Sequence, residues 1–146
     1  MLSNTAEYAL RAVLYLARHA QEHAVRVDEM AEALAVPRNY LSKTLHILAK
    51  RGVLASTRGP RGGFMLGVPA SELTLNAIVE PFDPIEARKT CLLGRKKCSD
   101  RDPCTVHWRW RSIADQIANF FQHTTVAELI ADQGREDAAM AALGSR

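Results

Sequence analysis

The sequence predicts a mainly α-helical protein that carries one small β-hairpin. Two short amphipathic segments separated by Val36-Pro37 predict a pair of helices joined by a tight break. Two short apolar runs on either side of the glycine-rich sequence RGPRGG predict the hairpin. Apolar residues that recur at helical spacing over residues 106–122 predict a helix roughly 25 Å long.

The first helix is expected over residues 5–20. Asn4 followed by Glu7 has the pattern of a capping box, in which each side chain satisfies a backbone N–H of the other residue. The apolar residues of this segment, which include Tyr8, Leu10 and Leu16, lie almost all round the helix. This distribution predicts that the helix is buried on more than one side.

The next two helices have the pattern of a helix-turn-helix. Asp28 is expected to cap the first helix, Pro37 to begin the second, and Gly52 to end it. The second helix is expected to bury Leu41, Leu45 and Leu48. Its other face carries groups that can reach DNA phosphates or base edges, namely Arg38, Asn39, Ser42, Lys43 and His46. In this motif the second helix enters the major groove with its N-terminal residues leading.

The predicted hairpin directly follows that helix and has arms at residues 53–57 and 64–66. Arg58 and Arg61 lie in its turn, where charged side chains would contribute little to a core. Arginines on a narrow tip suit the minor groove of DNA. Together with the helix pair, the hairpin predicts a winged helix-turn-helix that binds double-stranded DNA. The predicted contacts are Arg38, Asn39, Ser42, Lys43, Arg58 and Arg61.

The C-terminal half is expected to begin with a short helix that is capped near Thr74 and ended by Pro81. The helix over residues 106–122 is too apolar to stand alone, so it lies either on the winged helix or against its copy in a second chain. Pairing is expected, because a domain that reads symmetric DNA sites gains from a dimer. Thr125 and Glu128 form a second capping box and begin a short helix that is expected to end at Gly134.

These elements divide the chain into four segments. Residues 1–82 are predicted to form the winged helix-turn-helix, and residues 83–105 a cysteine-bearing loop. Residues 106–134 are predicted to form the long dimerisation helix and the short C-terminal helix, and residues 135–146 a frayed tail. Residues 1–67 carry nine Lys or Arg and five Asp or Glu, whereas residues 68–146 carry ten and eleven. The positive excess therefore lies in the segment predicted to bind DNA.

The composition predicts a soluble, cytoplasmic protein that is not an enzyme. No apolar run approaches the ~18 residues that span a bilayer, and the first residues lack the basic start and cleavage site of a signal peptide. Thiols stay reduced in the cytosol. The sequence has no phosphate-binding loop after a strand and no nucleophile–base pattern, so catalysis is not expected.

All three cysteines, Cys91, Cys98 and Cys104, lie in one predicted loop, CLLGRKKCSDRDPC. A disulfide would leave one thiol over and would not persist in the cytosol. With His107 the cysteines form a Cys₃His set that suits zinc, although the intervals of six and five residues lack the short spacing that zinc sites favour. The same set suits an iron–sulfur cluster, and the basic run RKK would help to keep the thiols deprotonated. The spacing does not decide between zinc and a cluster.

Five stretches together resemble the Rrf2 family of bacterial winged-helix regulators. They are EYALR, YLSKTLHILAKRGVL, RGPRGGFML, the three-cysteine loop and the amphipathic helix after it, and they extend over residues 2–133. The resemblance implies a homodimer that binds near-palindromic promoter DNA. It also implies, as in many members, an iron–sulfur cluster whose state changes DNA affinity; other members lack the cysteines.

The resemblance assigns roles to individual positions. The three cysteines match the cluster ligands of the family, and Arg58 matches an arginine that enters the minor groove. His107 matches the fourth ligand of the family's cluster-assembly regulator, which favours a 2Fe–2S cluster. Glu7 matches an acidic residue that supplies the fourth ligand from the other subunit in a nitric-oxide sensor, which favours 4Fe–4S. The first interval between cysteines is one residue longer than in those relatives, so the cluster type stays open.

Taken together, these features predict a repressor or activator whose promoter binding is gated by a cluster that senses redox, iron or nitric-oxide status. Loss or oxidation of the cluster would free the loop and shift the spacing of two recognition helices. One alternative is a cluster-free regulator that holds zinc or acts through bare thiols. Another is an electron-transfer iron–sulfur protein, against which strong, salt-dependent binding of duplex DNA would argue.

Overall fold

The computed structural model describes residues 1–144, the side chain of Arg88 excepted. Six helices and one antiparallel hairpin confirm the predicted mainly α fold class. In chain order the elements are α1 (Asn4–His19), α2 (Val27–Leu34), α3 (Arg38–Lys50), β1 (Leu54–Thr57), β2 (Gly63–Leu66), α4 (Leu75–Val79), a 3₁₀ turn (Glu86–Lys89), α5 (His107–His123) and α6 (Val126–Gly144). Among the described residues, no helix has both the length and the apolarity needed to cross a membrane.

Helix α1 lies at the centre of the core, and its predicted burial on more than one side is confirmed. It contacts α2, α3, α4, α6 and β2. Its buried residues are mostly small: Ala6, Ala9, Ala12, Val13, Leu16 and Ala17. Alanine side chains allow the neighbouring helices to approach closely, so this helix joins the N-terminal and C-terminal halves in one core.

Helices α2 and α3 form the predicted helix-turn-helix, and α3 is the recognition helix of that motif. Leu41, Leu45 and Leu48 of α3 are fully buried, as expected from their spacing. Gly52 has a φ of +78° directly after the helix, which confirms it as the residue that ends α3. The hairpin is held to the body of the protein by two hydrogen bonds between the backbones of Val25 and Phe64, at 2.9 and 2.8 Å.

The predicted cap of α1 is wrong by one residue. Ser3, in an extended conformation, is the N-cap, and its Oγ accepts a hydrogen bond from the backbone N–H of Ala6 at 3.2 Å. Asn4 is already helical. The backbone N–H of Glu7 donates to the carbonyl of Ser3 at 3.0 Å, so it is not available to an Asn4 side chain.

The predicted starts of α2 and α3 are also wrong in detail. Arg26 is the N-cap of α2 and makes no side-chain capping bond, whereas Asp28 lies in the first helical turn and pairs with Arg38. A carboxylate in the first turn is favoured by the helix dipole, so Asp28 still stabilises this end. Pro37 is the N-cap of α3 and not its first helical residue. Ala35, with a φ of 53°, makes the break between the helices.

Helix α5 has two apolar sides. One side, with Ala114, Ala118 and Phe121, is buried, and the helix packs against α4 and the 3₁₀ turn. The other side leaves Ile113 and Phe120 about half exposed, at 50% and 51% of their full accessible surface. The helix therefore lies on the winged helix, and a second apolar side remains for the predicted pairing.

Helix α6 begins as predicted but does not end at Gly134. Thr125 donates its backbone N–H to Glu128 Oε2 at 2.7 Å, and Glu128 donates its N–H to Thr125 Oγ1 at 3.3 Å, which confirms the second capping box. The helix then continues to Gly144, and the predicted tail is helical throughout its described part; residues 145 and 146 lie outside the described residues. The alanine-rich sequence DAAMAAL favours a helix strongly enough to offset the single glycine.

We expect Gly63→Ala to destabilise the protein by about 1–3 kcal/mol. Gly63 has a φ of +155°, and a Cβ at this position would lie 2.3 Å from the carbonyl oxygen of Val25. The control is Gly134→Ala, which has open space around it and should raise the free energy of unfolding by about 0.5–1 kcal/mol. Denaturant unfolding of both variants measures these changes. No stabilisation by Gly134→Ala would contradict a helix that continues through this residue.

Candidate metal centre and DNA-binding surface

The cysteine loop runs from the 3₁₀ turn to the first residue of α5 and is anchored at both ends. Lys89 forms ion pairs with Glu86 at 3.1 Å and with Asp115 of α5 at 3.4 Å. The indole Nε1 of Trp110 donates a hydrogen bond to the carbonyl oxygen of Thr90 at 2.9 Å. These bonds hold Thr90, the residue before Cys91, against α5. Because α5 begins shortly after Cys104, Cys91 is brought close to the other end of the loop.

The structure brings the three cysteines together. Their Sγ atoms all lie within 4.8 Å of one another, and those of Cys91 and Cys104 are 3.7 Å apart. His107 Nδ1 lies 3.1 Å from Cys98 Sγ, so a fourth donor atom adjoins one of the three thiols, although His107 is not itself a member of the group of three. Sulfur atoms bound to one tetrahedral zinc ion are about 3.8 Å apart, given Zn–S bonds of about 2.3 Å. The donor set therefore fits a metal ion or a thiolate-ligated cluster.

The three thiols do not ionise equally. A hydrogen bond with the backbone of Arg95 lowers the pKa of Cys91 below its ordinary value. A backbone hydrogen bond with Cys104 also favours the Cys98 thiolate, but burial and the neighbouring Cys104 and Cys91 thiols outweigh it and raise the pKa of Cys98. Three thiolates so close together repel one another, so the site suits a positively charged occupant that removes this repulsion.

A cavity of about 200 Å³ adjoins the sulfur atoms. Its lining includes all three cysteines, together with His107, Trp110 and Arg111 of α5. A water molecule takes up about 30 Å³ in the liquid, so this space is large enough for a group of several atoms.

Two residues beside His107 were not found from the sequence. Asp100 Oδ1 lies 2.9 Å from His107 Nε2, and it accepts a hydrogen bond from Arg111 Nη1 at 2.6 Å. The available signals were an acidic residue shortly after Cys98 and an arginine four positions after His107, but neither is specific. Only the folded loop places these groups in contact.

Glu7 does not join the cysteines within one chain. It is exposed in the first turn of α1 and is not a member of the cysteine group. A role as a ligand supplied to the other subunit stays a prediction.

The predicted DNA-contact residues of α3 lie at its start. Asn39 and Lys43 are exposed, and Ser42 is half-buried. Arg38 is exposed but forms an ion pair with Asp28. His46, also on this helix, donates from Nδ1 to the carbonyl of Ser42 at 2.7 Å. Most of the residues predicted to contact DNA from α3 are therefore exposed, although Arg38 already has a partner.

The hairpin presents its two arginines as predicted. Arg58 and Arg61 are exposed, and within residues 1–144 their side chains make no hydrogen bond or ion pair. The ring of His46 packs edge-on against Phe64 of β2, with ring centroids 5.4 Å apart, and so fixes the hairpin to the recognition helix. A groove of about 360 Å³ between the hairpin and α2 is lined by Arg26 as well as by Arg38 and Arg58. Sequence reasoning missed Arg26, because it precedes a helix and belongs to no motif.

Comparison with known proteins identifies the family. The sequence profile of the Rrf2 family, described as an iron-dependent transcriptional regulator, matches residues 2–132. An HTH-type transcriptional regulator from Aquifex aeolicus is 41% identical over 89% of this chain and 91% of its own length. The HTH-type transcriptional regulator IscR from Serratia proteamaculans is 34% identical over 90% of this chain and 80% of its own length.

Solved structures share the fold. CymR of B. subtilis, described as the global cysteine regulator, superposes with a TM-score of 0.75 at 21% identity, over 90% of this chain and 96% of its own. IscR of T. potens superposes with a TM-score of 0.73 at 22% identity, over 91% of this chain and 88% of its own. The fold, the helix-turn-helix with its hairpin and the match along nearly the whole sequence show that this chain belongs to the Rrf2 family of transcriptional regulators.

Proposed function

We propose that this regulator binds promoter DNA as a homodimer, in the cytoplasm, and that an iron–sulfur cluster held by Cys91, Cys98, Cys104 and His107 gates the binding. The observation that carries the proposal is the convergence of three Sγ atoms, with His107 Nδ1 3.1 Å from one of them, beside a cavity that all four residues line. The iron-dependent regulators described by the family profile support iron as the metal. A histidine among the ligands favours 2Fe–2S over 4Fe–4S, in line with the resemblance.

The chain supplies the ligands from two elements, the cysteine loop and α5. When bound, the cluster supplies redox-active iron that oxidants, nitric oxide or iron shortage can alter. The cysteines belong to the loop, whereas His107 is the first residue of α5. A group held by both therefore adds a further link between the loop and α5, and loss of that group leaves the contacts of Lys89, Trp110 and Asp100 to hold the loop.

The packing offers a route from this site to the recognition helix. Helix α5 packs on α4, α4 packs on α1, and α1 packs on α3. A bound group changes DNA affinity only to the extent that it binds the two arrangements of the protein differently. In a dimer, a small change in the placement of α5 alters the separation of the two recognition helices and thus the fit to paired half-sites.

The exposed side of α5 supports the homodimer. Ile113 and Phe120 are seven residues apart, which places them on the same side of the helix. Half-exposed isoleucine and phenylalanine side chains on one face are typical of an interface between chains. Pairing through this side gives the two-fold arrangement that near-palindromic DNA requires.

A second candidate is a regulator of the same kind that holds zinc or acts through bare thiols. The 3.7 Å distance between Cys91 and Cys104 Sγ atoms suits a single tetrahedral ion, which favours this candidate. CymR, a cysteine regulator by its description, has the same fold. Metal analysis separates the two candidates, because zinc and free thiols leave the protein colourless.

The first prediction of the proposed function concerns the cluster. We expect protein purified without oxygen to be brown and to contain iron and acid-labile sulfide in matching amounts, with two of each per chain for 2Fe–2S. Cys98→Ala should lose both, whereas the control Thr105→Ala, a change at an exposed residue of the same loop, should retain them. Absorption spectra and iron and sulfide assays measure this. Colourless wild-type protein with zinc would favour the second candidate.

A further consequence of the first prediction is a change in DNA affinity. Cys98→Ala should alter affinity for at least one promoter site relative to the loaded wild-type protein. Equal affinities at every site tested, both anaerobically and after oxidation, would contradict gating of DNA binding by the cluster.

The second prediction concerns the hairpin. Arg58→Ala and Arg61→Ala should each weaken duplex binding and lower the slope of log affinity against log salt by about one, because each removes one phosphate or groove contact. The control is Arg135→Ala, which removes an exposed arginine of α6, outside the predicted helix-turn-helix and hairpin. Fluorescence anisotropy across a salt series gives the slopes. Wild-type binding by both hairpin variants at all salt concentrations would exclude the hairpin from the interface.

The third prediction concerns the dimer. Ile113→Glu combined with Phe120→Glu should convert the protein to a monomer, because two charges would be buried in the interface. Met140→Glu, which changes another exposed apolar residue, should leave the dimer intact. Sedimentation velocity reports the mass of each variant. A double variant that still sediments as a dimer would place the interface elsewhere.

A further inference from the structure

Asp100 lies in the cysteine loop and contacts the ring of His107. We propose that Asp100 is a positioning residue: it fixes His107 in the tautomer that presents an unprotonated Nδ1 to the cysteine site beside Cys98, so that Nδ1 is the ligating atom. This inference rests on the proposed function, in which His107 is the fourth ligand. It goes beyond that function, because it states which nitrogen of His107 binds the metal and which residue determines this.

The hydrogen bonds of His107 determine its tautomer. The ring is only 8% exposed, so its two nitrogens take partners from the protein. Nε2 lies 2.9 Å from Asp100 Oδ1, and an ionised carboxylate can only accept a hydrogen bond. Nε2 therefore carries the proton, and in a neutral imidazole Nδ1 then has a free lone pair. Nδ1 lies 3.1 Å from Cys98 Sγ, so the lone pair faces the Cys98 thiol.

The position of Asp100 is itself fixed from two directions. Its Oδ1 also accepts a hydrogen bond from Arg111 Nη1 at 2.6 Å, and Arg111 lies one turn after His107 on α5. Asp100 belongs to a tight turn that is closed by a hydrogen bond from Asp102 N–H to the carbonyl of Ser99 at 3.1 Å. An ion pair of 2.6 Å between Arg95 and Asp102 holds the end of this turn.

This arrangement has a known chemical effect on a histidine ligand. A carboxylate that accepts the distal N–H fixes the ring orientation and increases the electron donation of the other nitrogen to a metal. Removal of such a partner typically lowers metal affinity or activity by about 10–100-fold. Greater donation also stabilises the oxidised form of a redox metal, so loss of the carboxylate should raise the reduction potential.

The test uses Asp100→Ala, Asp100→Asn and, as a control, Asp132→Ala, which removes an exposed carboxylate on α6. In iron-free, reduced protein labelled with ¹⁵N-histidine, the ring shifts of His107 report the tautomer without any metal. We expect the wild type and the control to carry the proton on Nε2. Asp100→Ala should give a mixture of tautomers, and Asp100→Asn should keep the wild-type tautomer, because the amide oxygen still accepts the hydrogen bond.

The same variants are then reconstituted with ferrous iron and sulfide. The reduced wild type should show the hyperfine coupling of one directly bound histidine nitrogen in pulsed electron paramagnetic resonance. Asp100→Ala should lose most of this coupling and bind iron about 10–100-fold more weakly. Asp100→Asn should retain the coupling but have a higher reduction potential, because the acceptor is no longer charged.

The outcomes separate this inference from the proposed function. A protonated Nδ1 in the wild type, or an Asp100→Ala variant with unchanged tautomer, nitrogen coupling and potential, would overturn the positioning role while leaving a cluster in place. A wild type that has the expected tautomer, loses it in Asp100→Ala and yet assembles no cluster would support the positioning role and refute the proposed cluster.

Discussion

The packing of α1 against its neighbours is the contact on which the rest of the structure depends. The helix touches the recognition helix α3 and also touches α4 and α6, which carry the C-terminal half. Its buried alanines leave little free volume at these contacts, so neighbouring helices shift together rather than independently. The recognition helix and the C-terminal helices are therefore packed into one core through α1.

Ionisation of all three thiols at the cysteine site is electrostatically unfavourable without a positively charged group between them. The backbone near Arg95 favours one thiolate, at Cys91, whereas burial and the neighbouring thiols oppose a second at Cys98. Full ionisation of three thiols within 4.8 Å requires compensation from a cation or from iron bound to sulfide. In the proposed function this repulsion would link occupancy of the site to the conformation of the loop, since ionised thiols converge most favourably when positive charge lies between them.

Features that depend on residues close in the sequence could be predicted. Features that depend on a choice between two similar local signals, or on contacts formed only in the folded chain, could not. Three predictions were confirmed because each involves residues that are close in the sequence. They are the burial of Leu41, Leu45 and Leu48, the left-handed glycine at Gly52 and the capping box of Thr125 and Glu128. Ser3 and Asn4 are both good caps, and only the folded chain chooses between them. Gly134 is a weak stop that an alanine-rich sequence overrides. The contact of Asp100 with His107 and Arg111 exists only once the loop lies on α5.

The ion pair between Asp28 and Arg38 bears on the prediction that Arg38 contacts DNA. Asp28 already neutralises this arginine, so a phosphate that recruits Arg38 must displace a carboxylate and leave it near the polyanion. Any duplex incurs this cost, whereas only a sequence that offers Arg38 a bidentate base contact recovers it. If Arg38 contacts DNA as predicted, the pair lowers affinity for random genomic sequence more than affinity for the correct site, and thus shortens the time that the regulator spends bound elsewhere.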